Sequence, residues 1–307
     1  MTRLTVTAKS HQLAFFPAAL RDGNIDLHTH TTASDGSDTP SELYRAARAN
    51  RLKVVGLTDH DTVAGITELS EAGIPLLQDV RPVDWAEWFA ACEDTYVLPG
   101  VELSCEYDGT EVHLLGYFFK PIGEALHTFL TEQRLERERR NRSMIRRLRE
   151  LDFPIPDDLL KADAGGKVKG RVAVALWLTE NGHAESVSDA FDRYLLPGRP
   201  GYVARKRPSV TAAIRAVHQA GGITSLAHPQ QYPCMTETVE RDLARMAAAG
   251  LDAVEAFHTG SNPEQRLLYA KTARRLGLQM TAGSDYHGSN KDHHPLYVHT
   301  DYSVYFS

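Results

Sequence analysis

The chain has 307 residues, 42% hydrophobic and 24% charged, an ordinary globular composition that excludes a disordered, collagenous or coiled-coil protein. That length suits about two domains, or one barrel carrying an insertion, and the net charge of −6 argues against a general nucleic-acid coat. No apolar run approaches the ~20 residues a membrane-spanning helix needs. Three scattered cysteines (Cys92, Cys105, Cys234) form neither a disulfide framework nor a C-x-x-C zinc knot, so a reducing, cytoplasmic setting is expected.

In chain order, the apolar cluster at residues 13–20 is broken by Pro17 and lacks a compact basic n-region and a convincing cleavage site, so no signal peptide is expected. Residues 24–27 predict a strand. Thr39 as N-cap, Pro40 in the first helical position and Glu42 completing a T-x-x-E box predict a helix with Leu43, Ala46 and Ala47 facing inward. Further strands are predicted at 53–58, 97–98, 112–119, 223–227, 251–257 and 278–282. Helices are expected from Ser209 to Ala220, ahead of Gly221–Gly222, and from Asn262–Pro263 to Gly277. Such alternation implies crossover units and a mostly parallel sheet, an α/β class.

Residues 123–207 break the rhythm. They read as a helical insertion with a long helix over 126–151, a glycine-rich loop at 165–170 and helices over 172–181 and 188–195. The α/β body is then discontinuous, at 24–122 and 208–290, with an N-terminal extension of 1–23 and a tail of 291–307. Between Glu132 and Arg207 stand 17 Lys/Arg against 12 Asp/Glu, a net of +5 inside an otherwise acidic chain. A basic segment of this kind suits a small anionic ligand or short oligonucleotide better than long duplex DNA. A solvated helix face, with Glu136–Arg140 and Glu138–Arg142 pairs at i, i+4, is the plainer reading.

Histidine carries the chemical signal. His28 and His30 directly follow the first strand, and i, i+2 spacing in extended chain places both imidazoles on one face. Asp35 closes the same segment, His60 stands in Thr58-Asp59-His60-Asp61, and Glu102 follows Pro99–Gly100–Val101. His113 lies within a strand, His228 ends another, and Asp285 and His287 end the last. In α/β architectures sites assemble at the carboxyl ends of parallel strands. One such histidine is ordinarily a hydrogen-bonded core residue, but imidazole and carboxylate at five strand ends point to a metal site. The absence of thiolate favours zinc, manganese or iron. Asp59 and Asp61 either orient imidazoles from behind or are turn residues. His293 and His294 read as an incidental tail cluster.

The segments DLHTHTTASDG, LTDHD, GVELS, EVHLLGY, AHP and GSDYHG, in this order, resemble the PHP (polymerase and histidinol phosphatase) superfamily. The likeness is to its bacterial metal-dependent phosphoesterase branch, which includes nucleoside 3′,5′-bisphosphate phosphatases and 5′→3′ oligoribonucleases, and it covers residues 24–290. It implies a distorted (β/α)7 barrel, with an inserted helical subdomain as substrate cap, holding a trinuclear cluster of divalent ions (manganese, zinc or iron). Carried over by motif, one ion would take His28, His30, Glu102 and Asp285. A second would share Glu102 and add His113 and His228, and a third would take Asp35, His60 and His287. Asp35, His60, Glu102 and Asp285 become the candidate catalytic positions, because clustered ions activate water and neutralise phosphate oxygens. On the long helix, Met144, Leu148 and Leu151 share a face that continues into Asn141 and Arg137, with Arg140 beside it. The resemblance implies that Arg137, Arg140, Asn141 and Arg171 contact phosphate. Two departures stand out. Ala173 occupies the place of a family histidine, and about 24 residues precede the first motif. That extension and the 66–96 stretch, with Trp85 and Trp88, could serve an oligomer contact or a pocket rim.

The expected activity is hydrolysis of phosphate esters of small nucleotides or of short RNA 5′ ends. Histidinol-phosphate phosphatase is the enzymatic alternative, and a noncatalytic metal-binding module is the third.

Overall fold

A computed structural model describes residues 8–160, 170–232, 234–291, 294–296 and 302, with side chains described except at Ala8 and from 234 to 237. The bulk of the expected loop at 165–170, and His293, lie outside the described residues. The strands are β1 (Ile25–Thr29), β2 (Val54–Leu57), β3 (Tyr96–Tyr107), β4 (Thr110–Tyr117), β5 (Ile223–Leu226), β6 (Ala253–His258) and β7 (Gln279–Gly283). They pair in sequence order as one seven-stranded sheet. Backbone bonds from Asp285 to the His28 carbonyl (2.9 Å) and from His30 to the Tyr286 carbonyl (2.8 Å) bring β7 against β1, so the sheet is a nearly closed barrel.

Pairing is parallel for β1–β2, β2–β3, β5–β6 and β6–β7, but antiparallel for β3–β4 and β4–β5. The middle of the sheet therefore departs from the mostly parallel expectation. The cause is Asp108–Gly109, both at positive φ (46° and 76°), a two-residue turn whose twist suits a hairpin. The predicted short strand at 97–98 is consequently the start of a twelve-residue strand. The hairpin carries Glu102 and His113 past the carboxyl end of β2 and beside that of β5.

The first helices are α1 (Ala8–Leu13), α2 (Phe15–Asp22), α3 (Pro40–Ala49), α4 (Ala64–Glu71) and α5 (Trp85–Ala91). Thr39 and Glu42 form the expected reciprocal cap of α3. The N-terminal extension is part of the core. Phe15 and Phe16 are fully buried, with Phe15 against Trp85, Phe89 and Phe119 and Phe16 against Tyr117. Lys53, just before β2, donates to Asp22 and to the Phe89 carbonyl. This aromatic cluster therefore closes the barrel at the amino ends of the parallel strands, so neither α2 nor α5 is a rim of the histidine site.

The chain divides into two compact units, Met1–His127 with Pro208–Ser307, and Thr128–Arg207. The division falls inside α6 (Glu124–Arg149) rather than at residue 123. The second unit has its own core of Met144, Leu148, Val174, Leu178 and Leu195, built from α6, α7 (Arg171–Glu180), α8 (Val187–Ala190) and the π-helical turn Phe191–Leu195. Leu151 lies beyond the end of α6 and is 39% exposed, so it does not extend the inner stripe. In the first unit follow α9 (Val210–Gln219), α10 (Cys234–Ala248) and α11 (Pro263–Leu276). Asn262 and Gln265 cap α11 reciprocally, and Gly277 ends it at φ 71°.

Candidate metal centre

The side chain of Glu102, fully buried on β3, is the hub of the histidine site. His28 (3.3 Å), His30 (3.1 Å) and His60 (2.9 Å) approach its Oε2, and His113 and His228 (both 2.9 Å) approach its Oε1. Asp285 stands 3.6 Å from His28 and 3.3 Å from His30. Asp35 lies 3.3 Å from His287 and 3.7 Å from His60. Four strand ends (β1, β2, β5 and β7) and the β3–β4 hairpin thus deliver all nine candidate ligands to one end of the barrel.

Donor atoms within 4.8 Å of one another form the sets His28/His30/Glu102/Asp285, His30/Asp35/His60/His287 and His60/Glu102/His113. The second set adds His30 to the expected group, and the third places His60 beside His113. His228 approaches the same Glu102 oxygen as His113. Among the described residues, buried Nε2 of His28, His30 and His287, Nδ1 of His60 and Oε2 of Glu102 make no hydrogen bond, although they crowd together. Buried polar atoms normally find partners, so atoms aimed at a common point and bonded to nothing fit divalent cations.

The electrostatics agree. Burial alone would raise the Glu102 pKa, but His60, His28 and His113 hold it well below the usual carboxylate range. Burial would lower His30, yet the adjacent carboxylates of Asp285 and Glu102 push it up to about 9. For His113 the same contest, won by Glu102, ends at about 10. Bare, the centre holds protons between imidazole and carboxylate, where a divalent ion would supply the positive charge instead.

Backbone placement is demanding here. His228 (φ 26°), Asp285 (φ 58°) and Asp61 (φ 52°) adopt left-handed conformations that non-glycine residues rarely take, strain that clusters at functional sites. A Cβ at Gly283 would lie 2.3 Å from the His28 Cβ and 2.5 Å from Oε1 of Glu255, so only glycine fits under the site.

Supporting residues include several without a motif. Glu255, fully buried on β6, accepts from His28 Nδ1 (3.0 Å) and from the His228 backbone N–H (2.7 Å). The Tyr232 hydroxyl accepts from the His113 backbone N–H (2.7 Å) and sits 3.1 Å from His228 Nδ1. Asp26 accepts from the Ser284 backbone and hydroxyl (3.0 and 2.5 Å). Asp59 approaches His30 through Ser34, and Asp61 accepts from the Ser104 backbone N–H at 3.0 Å. His258, His294 and Asp285 also fall within 4.8 Å of one another, and Lys291 lies 2.8 Å from Asp285. His294 is therefore at the edge of the centre, bonded to the Ser284 carbonyl at 2.7 Å. Burial lowers the His258 pKa to about 4, so this ring is neutral. A lone strand-end histidine carries little signal in sequence, and Glu255 carries none.

The second unit holds the predicted basic residues. Burial, followed by the nearby Arg171 and Arg205, lowers the Arg140 pKa to about 10, and Arg137 adds to the same field. Arg140 donates to the Val203 carbonyl (3.1 Å) and to Asn141 (3.3 Å), and Asn141 is only 2% exposed. Arg171 donates to the Leu195 carbonyl (3.4 Å) and lies over Phe191 and Tyr202. Glu136 pairs with Arg139 rather than Arg140, while Glu138 reaches Arg134 at 2.8 Å and Arg142 at 4.0 Å. Sequence reading missed Arg205.

A model of the PHP domain matches residues 26–196. The chain is 33% identical over 279 residues to the 5′-3′ exoribonuclease Rnm of Salmonella typhimurium, covering 88% of each protein. It is 30% identical over 269 residues to a 3′,5′-nucleoside bisphosphate phosphatase of Chromobacterium violaceum, covering 86% of this chain and 87% of that protein. Among solved structures, a protein assigned as a metal-dependent phosphoesterase from Bifidobacterium adolescentis superposes with a TM-score of 0.69 at 32% identity, over 91% of this chain and 93% of that one. No helix of the described residues is long and apolar enough to cross a membrane. With its barrel, its histidine–carboxylate centre and these relatives, the chain belongs to the PHP domain family of metal-dependent phosphoester hydrolases.

Proposed function

We propose that this enzyme hydrolyses phosphate esters of small nucleotides, such as nucleoside 3′,5′-bisphosphates, or the 5′ ends of short RNA. The observation that carries the reading is the convergence of six histidines on the carboxylates of Glu102, Asp285 and Asp35. They would hold divalent ions, three in number and drawn from manganese, zinc and iron, with Glu102 shared between sites. Ions so held supply water activation and charge neutralisation at a phosphate. The chain's own residues do the rest. Glu102 and Asp285 gather the imidazoles, and Asp35 does the same with His60 and His287 at the third set. Glu255 and Tyr232 hold the tautomers and tilt of the rings. Arg137, Arg140, Asn141 and Arg171 form a cationic cluster suited to substrate phosphate, whose oxygens match paired guanidinium donors. The relatives named for exoribonuclease and bisphosphate phosphatase activities support a nucleotide substrate, and the scattered cysteines suit the cytoplasm.

The test is phosphate release by manganese-loaded protein from adenosine 3′,5′-bisphosphate and from a 5′-phosphorylated oligoribonucleotide, with histidinol phosphate alongside. Turnover of either nucleotide substrate alone supports the reading. Turnover of histidinol phosphate alone replaces it, and binding of nucleotides without turnover returns the protein to a noncatalytic module.

A further inference from the structure

We propose that His258 is a substrate-positioning residue whose Nε2–H donates to a phosphate oxygen bound beside Asp285, and that it is not a metal ligand. The inference rests on the phosphoesterase reading of this centre. His258 ends β6 and is fully buried. Its Nδ1 accepts the backbone N–H of Gly260 at 2.9 Å and faces the Gln230 amide nitrogen at 2.8 Å. A peptide N–H can only donate, so Nδ1 carries the lone pair and the neutral ring carries its proton on Nε2. That Nε2 is buried and has no hydrogen-bond partner among the described residues. A buried donor left unmade is costly, and its persistence calls for an acceptor that the described residues do not supply.

The acceptor's chemistry follows from the neighbourhood. Proximity of His258, Asp285 and His294 resembles a fourth cation site. A neutral imidazole has one lone pair, however, and here Gly260 occupies it, so ligation would require an imidazolate. The same reasoning excludes a general acid, since surrendering the Nε2 proton would also leave an imidazolate. Hydrogen-bond donation without proton transfer is what remains, as neutral histidines do in other active sites. Lys291 places an ammonium on the same Asp285 carboxylate. An N–H donor and an ammonium at one edge of a cation-binding centre suit an anionic oxygen, and phosphate is the anion of this reaction.

Metal-loaded wild type, His258→Ala and His258→Gln are compared for metal content, melting temperature, affinity for inorganic phosphate by calorimetry, and KM and kcat on the substrate the wild type turns over. His258→Ala is expected to retain the wild-type metal complement and to bind phosphate about tenfold more weakly, the loss of one hydrogen bond to a charged oxygen. KM should rise with it. His258→Gln, whose amide N–H reaches the Nε2 position, should recover most of the affinity, and it decides the matter if the alanine variant does not fold. Unchanged phosphate affinity in His258→Ala, a proportional loss of metal, or a wild type that binds no phosphate would each overturn the proposal. A wild type that binds phosphate yet hydrolyses no nucleotide counts against the substrate class alone and leaves the binding comparison intact.

Discussion

Nδ1 of His28 on β1 lies 3.0 Å from Oε1 of Glu255 on β6, and neither residue is exposed to solvent. The carboxylate accepts the Nδ1–H and so fixes the ring with Nε2 facing Glu102 and Asp285. Its second oxygen accepts the backbone N–H of His228 at 2.7 Å and holds that residue in its left-handed conformation. One side chain thereby orients candidate ligands on two different strands.

Replacing Glu255 by glutamine keeps the shape but weakens both bonds. Metal affinity should fall about 10–100-fold, the usual cost of losing a partner behind a ligating histidine. Titration of metal-free Glu255→Gln with manganese checks this. Wild-type affinity in that variant would mean that the barrel alone orients His28.

Asp252, just before β6, accepts from His218 (2.7 Å) and from the backbone and hydroxyl of Thr224 (3.0 and 2.9 Å), and pairs with Lys9 at 2.6 Å. Burial opposes its charge, but these partners lower its pKa. A depressed carboxylate contributes stability that is present above its unfolded pKa of about 3.9 and is lost as pH falls through the folded value. Asp252→Asn should cost about 1–3 kcal/mol near neutrality, and the difference from wild type should shrink in acid. Urea midpoints of the two proteins between neutrality and acid test the sign, and a gap that widens in acid would refute it.

Phe16 fills the amino end of the barrel and is fully buried. Phe16→Ala should destabilise the fold by about 3–5 kcal/mol through lost burial and the cavity left behind. Because this cluster is at the end opposite the histidines, kcat/KM per folded molecule should stay near the wild-type value. A stable variant with impaired turnover would contradict the placement.

Arg140 is expected to act on substrate affinity. Arg140→Ala should raise KM about tenfold with kcat little changed, the pattern of an interaction equally strong in ground and transition states. Burial first, and then the nearby Arg171 and Arg205, lower its pKa to about 10, and an anion between these cations would relieve their repulsion. An unchanged KM would make the arginines of α6 a solvated surface.

Local chemistry was readable from the residues themselves. The reciprocal caps at Thr39/Glu42 and Asn262/Gln265, the i, i+2 histidines of β1 and the glycine closing α11 depend only on neighbours a few residues away. The ligand types at strand ends were legible for the same reason, since strand, turn and histidine are contiguous in the chain. The Asp108–Gly109 hairpin was equally local but was outweighed by the α/β rhythm, and it turned the middle of the sheet antiparallel. The rest was decided by closure of the barrel. Glu255 meets His28 across 227 residues of sequence, and His258 meets Asp285 only because β6 and β7 are neighbours. The N-terminal helices became core because the barrel exposes an apolar amino end that Phe15 and Phe16 cover. By itself the sequence determined where the arginines lie in the insertion and which strand ends carry imidazole and carboxylate. Tertiary structure alone decided which side chains stand behind them, because hydrogen bonds between distant segments exist only once those segments are packed side by side.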